Sequence, residues 1–294
     1  MCMSAVIDAS TRLIGILGYP VRHSLSPLIH NTALRSQGLN AVYIGLPVPP
    51  DRLGDAMAGI RALGFLGANV TIPHKEAVLP LLDSLSGRAQ AVGAVNTIVA
   101  RQGALHGDNT DVSGFLAPLQ EHGSWLRGSD MVVLGAGGAA RAAVYGLCAA
   151  FAPRLLTIAA RRAAPAERLA SGMAALGNVG TVLLPDAAPQ MTSARLIVNA
   201  TPAGMHPGAG ETPWAERTVF RKGQLVYDLV YRPHETRLMR EAAAQGARVL
   251  GGLPMLLGQA AAAYRQWTGK DMSKAAVEQA LEQVLKKDYL GASN

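Results

Sequence analysis

Cysteine is nearly absent from this chain, with only Cys2 and Cys148 among 294 residues. Two thiols, one close to the start and one in an apolar helical stretch, argue against a disulfide framework, so both are expected to be free. Aromatic residues are scarce at 5%, against 49% hydrophobic residues and 32 glycines. That balance favours an α/β protein with close helix-to-strand packing over a β-sandwich. No apolar run approaches the roughly 20 residues of a membrane span. Met1 to Thr11 carries Asp8 and no basic leader region, so a cytoplasmic protein without signal peptide is expected. Adjacent basic residues are few despite a net charge of +7: only Arg161-Arg162, Arg221-Lys222 and Lys286-Lys287. This is a poor nucleic-acid footprint and suits small anions better, so no nucleic-acid or membrane partner is expected. The seven histidines show no metal-ligand spacing, and no metal site is expected.

Lysine is the most informative scarcity. Lys75 is the only lysine before Lys222; elsewhere in that span arginine supplies the positive charge. An arginine keeps its proton in a protein, whereas an amine can donate or accept one, so position 75 is a candidate for proton chemistry. It lies in Asn69-Val70-Thr71-Ile72-Pro73-His74-Lys75, where Pro73 suits a first helical position. Lys75 would then lie in a first turn, whose dipole disfavours a cation. A nearby carboxylate would oppose that effect, so the sign of the net shift stays open.

The length suits two domains. Leu13 to Gly18 reads as a buried strand leading into Tyr19-Pro20-Val21-Arg22-His23-Ser24-Leu25-Ser26-Pro27. Ser26 and Pro27 form a capping pair for a helix to Gln37, which leaves Ser24 without a structural reason. Two hydroxyls beside a helix start make a seat for a carboxylate, as readily as plain capping. A strand at 41–46, a helix at 52–63 and a strand at 66–70 continue in βαβ order, placing Ser24, Thr71 and Lys75 on one rim of strand C-termini. Ala94 to Val99 reads as a strand in which the amide of Asn96 needs partners or a ligand. Asp111 ends Gly107-Asp108-Asn109-Thr110-Asp111 before a helix at 112–121; it suits an N-cap, or a carboxylate acting with Lys75.

After a connection ending near Ser129, Met131 to Leu134 reads as a strand followed by Gly135-Ala136-Gly137-Gly138-Ala139-Ala140 and a helix through Phe151. Strand, glycine spacing and helix together match the dinucleotide-binding fingerprint, with alanine at its third small position. The next strand, 155–160, ends in Arg161-Arg162, where an NAD site usually carries an acid. Two arginines fit the 2′-phosphate of NADP. Strands at 196–200 and 225–231 follow, with a glycine- and proline-rich loop to Pro213 between them that suits a lid. Helices are expected at 235–245, from 254 to 267, and at 273–286. Gln259 sits among Leu256, Ala260 and Ala263, where a helix-to-backbone bond would account for its amide.

HSLSP, NVTIPHK, GAVNTI, GDNTD, GAGGAAR, NATPAGM, YDLVY and GLPMLLGQ occur in that order. With these motifs the chain resembles the shikimate dehydrogenase family over nearly its whole length. The resemblance implies an α/β protein of two domains. A substrate-binding and catalytic domain, 1–111 and 250–294, would have its N-terminal α/β part completed by C-terminal helices. A Rossmann-like NADP domain would span 112–249, with the active site in the cleft between the two. It also implies that Lys75 and Asp111 are the catalytic pair, and that Ser24 and Ser26 seat the substrate carboxylate. Thr71, Asn96, Asp111, Tyr231 and Gln259 would hold the ring hydroxyls. Gly135, Ala136, Gly137, Gly138, Ala139, Arg161 and Arg162 would contact the dinucleotide, with Met205, Leu229 and Gly252 near the nicotinamide. The implied reaction is reduction of 3-dehydroshikimate by NADPH, in a monomer or homodimer. Ala160-Arg161-Arg162 departs from the family's frequent Asn-Arg-Thr: it keeps the arginine but loses an amide and a hydroxyl. Alternatives are a quinate/shikimate dehydrogenase using NAD or both cofactors, a non-catalytic NADP-binding regulator, and a folate dehydrogenase of related fold. Intact Lys75 and Asp111 argue against the regulator, and the paired serines against the folate enzyme.

Overall fold

The computed structural model describes residues 7–206, 208–214 and 220–291, with side chains in the last helix described up to residue 284. Cys2, the first six residues of the stretch read for a leader, and Pro207 of the glycine- and proline-rich loop lie outside the described residues. So do the side chains of Lys286 and Lys287. The chain forms two compact units, one holding the chain up to Thr110 together with the chain from Ala260 onward, the other Asp111–Gln259.

The first unit begins with β1 (Arg12–Gly18), α1 (Ser26–Ser36), β2 (Ala41–Pro47), α2 (Leu53–Ala62) and β3 (Gly67–Val70). It continues with α3 (His74–Ala77), β4 (Ser84–Leu85), α4 (Gly87–Val92), β5 (Thr97–Arg101) and β6 (Ala104–Asp108). The sheet order is β2-β1-β3-β5-β6-β4. β1 runs parallel to β2 and β3, whereas β5 is antiparallel to β3 and β6. The start of β5 and the end of β6 therefore lie on the edge where β1 and β3 end. Helix periodicity builds the layer on this sheet: Leu53, Met57 and Ile60 of α2 recur on one face and bury against Leu17, Ala68 and Val70.

The second unit contains α5 (Asp111–Leu116), α6 (Gly123–Leu126), β7 (Asp130–Leu134), α7 (Gly138–Phe151), β8 (Leu155–Ala160) and α8 (Ala163–Met173). β9 (Val179–Leu183), α9 (Ala188–Ser193), β10 (Leu196–Asn199), β11 (Leu225–Asp228), α10 (Arg237–Ala244) and β12 (Arg248–Leu250) follow. The chain then enters α11 (Leu253–Thr268), within which the division between units falls, and ends in α12 (Lys274–Gly291). All six strands are parallel in the order β9-β8-β7-β10-β11-β12. This is the doubly wound dinucleotide-binding order, with its switch point between β7 and β10. The near-continuous apolar runs of the four inner strands, β8, β7, β10 and β11, bury almost completely, as both faces of a parallel sheet require, while the edge strands β9 and β12 stay partly exposed.

Several elements differ from the sequence reading. The helix after Thr110 stops at Leu116 and gives way to a tight turn at Ala117–His122, because Pro118 has no N–H for the next intrahelical bond. The strand before Arg232 ends at Asp228 rather than Tyr231: the Asp228 carboxylate accepts the Val230 N–H at 3.0 Å and turns the backbone out of the ladder. Residues 250–259 pack with the second unit, not the first. Gly114 of α5 lies so close to α11 that a Cβ there would stand 2.5 Å from the Met255 carbonyl oxygen and 2.6 Å from the Gln259 nitrogen. Among the described residues no helix is long and apolar enough to cross a membrane.

Candidate active-site residues

In the first unit the candidate residues collect at the sheet edge where β1 and β3 end. The two serines exchange the roles that the sequence pattern gives them. α1 starts at Ser26 with Leu25 at the cap position and no side-chain cap bond, while the Ser24 hydroxyl accepts the Ser26 N–H at 3.2 Å. Ser24 thus does the local backbone work. Ser26, 4% exposed, instead faces the Tyr43 hydroxyl.

Tyr43 passes the network on, donating to Asn69 Oδ1 at 2.7 Å. Burial pushes this phenol's pKa well above its usual value, the Ser26 bond opposing, so Tyr43 remains a neutral donor. Asn69 Nδ2 donates to the Asn96 carbonyl at 3.0 Å and to Thr97 Oγ1 at 3.2 Å. Asn96 is a bend residue just before β5, not part of it, because its amide is committed sideways to Thr110. Its Oδ1 accepts the Thr110 N–H at 2.7 Å, and its Nδ2 donates to Thr110 Oγ1 at 3.0 Å. Protein partners therefore engage both ends of the Asn96 amide. The peptide link after Thr110 leads straight to Asp111, the first residue of α5 and 4% exposed.

Thr71 and Lys75 follow β3. Thr71 N donates to the Leu17 carbonyl, and its own carbonyl accepts His74 N at 2.9 Å, which starts the turn. Pro73 occupies the cap position rather than the first helical one, and Lys75 is the second residue of α3. A single turn of four residues aligns too few peptide units for the dipole argument drawn from the sequence. Position is fixed by other means: the buried His74 ring bonds the Val48 carbonyl at 2.7 Å, and the Lys75 carbonyl accepts Val95 N at 2.8 Å. The half-buried Lys75 side chain thus departs from a backbone pinned on both sides.

In the second unit five strand ends bring the candidate cofactor residues to one edge. The β7–α7 turn holds Gly135, Ala136, Gly137, Gly138 and Ala139. Gly135 has φ +107°, and a Cβ there would press on the Ala200 carbonyl and Thr201 Cγ2 at 3.2 and 3.1 Å. Beside Gly137 the space is open, with nothing within 4 Å of an added Cβ. Ala140, fully buried, lets the 14-residue α7 pack closely on the sheet. A glycine cradle with free space at the start of a long helix fits a dinucleotide pyrophosphate. Arg161 and Arg162 are exposed at the end of β8, and Arg162 also serves as cap residue of α8.

Met205, 41% exposed, follows β10, and half-buried Leu229 and Tyr231 follow β11. Burial raises the Tyr231 pKa and the Arg232 charge opposes it, so this phenol is a donor at neutral pH. Gly252 lies after β12 against the Leu229–Val230 backbone, where a Cβ would stand 2.2 Å from the Leu229 carbonyl oxygen. That contact alone demands glycine. Gln259, 8% exposed, donates Nε2 to the Leu256 carbonyl at 3.0 Å, the helix-to-backbone bond its surroundings call for.

Sequence reasoning passed over Thr97, Asn199 and Asp228, buried and hydrogen-bonded at these two edges, and Tyr43, which lies farther back in β2 and bonds Asn69. A polar residue at the end of an apolar strand run is the signal that could have found Asn199 and Asp228.

Two family models match this chain: the shikimate dehydrogenase substrate binding domain over residues 16–98, and the shikimate 5′-dehydrogenase C-terminal domain over residues 252–282. The shikimate dehydrogenase (NADP(+)) of Salinibacter ruber is 59% identical over 280 residues, covering 94% of this chain and 98% of its own. Shikimate 5-dehydrogenase of Listeria monocytogenes, solved with shikimate and NAD, superposes with a TM-score of 0.86 at 35% identity, covering 95% of this chain and 99% of its own. The Thermus thermophilus enzyme, solved with NADP(H) and shikimate, gives a TM-score of 0.82 at 38% identity, over 93% of this chain and 99% of its own. With 94% of its length matched at 59% identity and its motifs in order, the chain belongs to the shikimate dehydrogenase family.

Proposed function

We propose that this protein is a shikimate dehydrogenase: it reduces 3-dehydroshikimate to shikimate with NADPH, reversibly, in aromatic amino acid biosynthesis. The observation that carries this reading is the likeness to the Salinibacter ruber shikimate dehydrogenase (NADP(+)) over 94% of the chain, with Lys75 and Asp111 both in place. In this reading the first unit serves mainly substrate binding and catalysis, and the second mainly NADP binding. The protein works in the cytoplasm as a monomer or homodimer, with no nucleic-acid or membrane partner.

Lys75 Nζ gives a proton to the substrate oxygen during reduction and takes it back during oxidation; a primary amine can do both, a guanidinium neither. Asp111 accepts a hydrogen bond from the same hydroxyl and orients it. Ser24 and Ser26 receive the substrate carboxylate, and Thr71, Asn96, Tyr231 and Gln259 orient the ring hydroxyls. Gly135, Ala136, Gly137, Gly138 and Ala139 cradle the pyrophosphate of NADP. Arg161 and Arg162 meet its 2′-phosphate with planar donors, and Met205, Leu229 and Gly252 border the nicotinamide. The cofactor, when bound, supplies or accepts the hydride.

The test is an initial-rate matrix with purified protein, crossing shikimate and quinate with NADP and NAD and following absorbance of the reduced nicotinamide. Fast reduction of NADP with shikimate and little with quinate is expected. Comparable rates with quinate or NAD would move the protein to the quinate/shikimate branch, and no rate with any pair would overturn the enzymatic reading.

A further inference from the structure

At the switch-point edge of the second unit, three buried polar residues lock two loops together. Asn199 ends β10 and Asp228 ends β11, both fully buried, and Thr236, 1% exposed, caps α10. Every polar atom of the Asn199 amide is used. Its Oδ1 accepts the Thr201 N–H at 3.0 Å and the Thr201 hydroxyl at 2.7 Å; its Nδ2 donates to Asp228 Oδ1 at 2.8 Å and to the Ala203 carbonyl at 3.4 Å. Asp228 Oδ1 also accepts Val230 N–H at 3.0 Å, and its Oδ2 accepts the Thr236 hydroxyl at 2.6 Å. The Leu229 N–H donates to the Asn199 carbonyl at 3.0 Å. Thr236 Oγ1 in turn accepts Met239 N–H at 3.2 Å, tying the network to the start of α10.

The carboxylate sits among these neutral donors, and among the described residues no cation pairs with it. Burial raises its pKa, against the bonds from Thr236, Val230 and Asn199. A buried anion without a countercharge is a poor way to gain stability; apolar side chains of similar size serve that end as well or better. What the arrangement does is fix geometry. It holds the 200–205 loop through Thr201 and Ala203, and the 229–231 loop through Leu229 and Val230. The first of these loops rests on the glycine cradle, since Thr201 Cγ2 and the Ala200 carbonyl occupy the space beside Gly135.

Resting on the NADP reading above, we infer that Asn199, Asp228 and Thr236 are positioning residues that set the Met205 and Leu229 loops against the nicotinamide half of the dinucleotide, leaving the adenosine half to the β7–β8 side. Loss of one bond to the buried carboxylate frees both loops. The nicotinamide end loses its wall while the phosphate cradle and Arg161 stay as they are.

The experiment compares wild type with Thr236→Val, Thr236→Ser and Asp228→Asn in the intact protein. Binding of NADP and of adenosine 2′,5′-bisphosphate, which lacks the nicotinamide half, is measured by calorimetry, beside kcat, KM and melting temperature. Thr236→Val and Asp228→Asn are expected to weaken NADP about tenfold or more, the scale of one hydrogen bond to a charged group, and to leave the bisphosphate within about twofold. Thr236→Ser, which keeps the hydroxyl, should restore wild-type NADP binding. Equal weakening of both ligands, or unchanged NADP binding in a folded variant, overturns the inference. A wild type that binds neither ligand overturns the NADP reading and the inference with it; a wild type that binds both isolates the inference for the variants to decide.

Discussion

His30 of α1 offers a quantitative test of the packing in the first unit. It is fully buried, and among the described residues neither ring nitrogen has a hydrogen-bond partner. Its ring stacks on Tyr43 at 4.3 Å and 13°, with Trp267 tilted at 5.3 Å and Tyr264 at 6.3 Å. Among the described residues no hydrogen-bond acceptor meets the ring, and burial lowers the pKa from 6.5 to about 3. The sign follows from proton counting. The folded state keeps His30 neutral down to about pH 3, while the unfolded chain binds a proton below 6.5. Stability from this group is therefore complete above the unfolded value and is lost as pH falls toward the folded one. The full window corresponds to about 5 kcal/mol, and at about pH 4.5 roughly 3 kcal/mol of it is already gone. His30→Phe keeps the stacked ring and removes the titration. Urea unfolding of wild type and variant at about pH 7.5 and pH 4.5 should show the variant gaining roughly 3 kcal/mol on wild type over that interval. Carboxylates such as Asp108 contribute equally to both proteins and cancel in the comparison. Parallel loss of stability in the two proteins would refute the buried, unpartnered placement of His30.

The crossing of α5 and α11 makes a second prediction: Gly114→Ala should cost about 1–3 kcal/mol by overpacking, because its Cβ would sit 2.5 Å from the Met255 carbonyl oxygen and 2.9 Å from Gln259 Cβ. Gly59→Ala in α2, where an added Cβ has nothing within 4 Å, should instead stabilise by about 0.5–1 kcal/mol. Thermal unfolding of the pair checks the contrast, and a shared sign would contradict it. Arg161→Ala should raise the KM for NADP far more than that for NAD, by up to a few kcal/mol of lost charge-assisted bonding; steady-state kinetics with both cofactors checks this, and equal effects would show that Arg161 does not read the 2′-phosphate.

Much of this architecture is legible in the sequence where local pattern and tertiary role agree. The strand, glycine turn and helix from Asp130 to Phe151 declare themselves because each link is a short-range signal; the strand's bounds and the helix's end fall within a residue of those expected. Elements with weak local signals are missed. β4 has two residues, β6 carries a histidine and a glycine, and the edge strand β9 is half exposed. Helix α8, with Pro165 in its first turn, lies where the reading placed nothing after Arg162. The rarity of lysine pointed to Lys75, yet what fixes its backbone, the Val95 and His74–Val48 bonds, joins residues 20 or more positions apart. Ser24 and Ser26 illustrate the same limit: capping rules choose a serine by its spacing from Pro27, whereas in the fold Ser24 takes the Ser26 N–H and Ser26 faces Tyr43, a residue on strand β2.

The most direct test of the account is Lys75→Ala, measured for turnover of shikimate with NADP and for NADP binding by calorimetry. The account assigns proton transfer to the amine of the first unit and the dinucleotide to the second, so it predicts loss of turnover with NADP binding nearly unchanged. Substantial kcat in the variant would contradict the role of Lys75, and turnover lost together with NADP binding would contradict the division of labour.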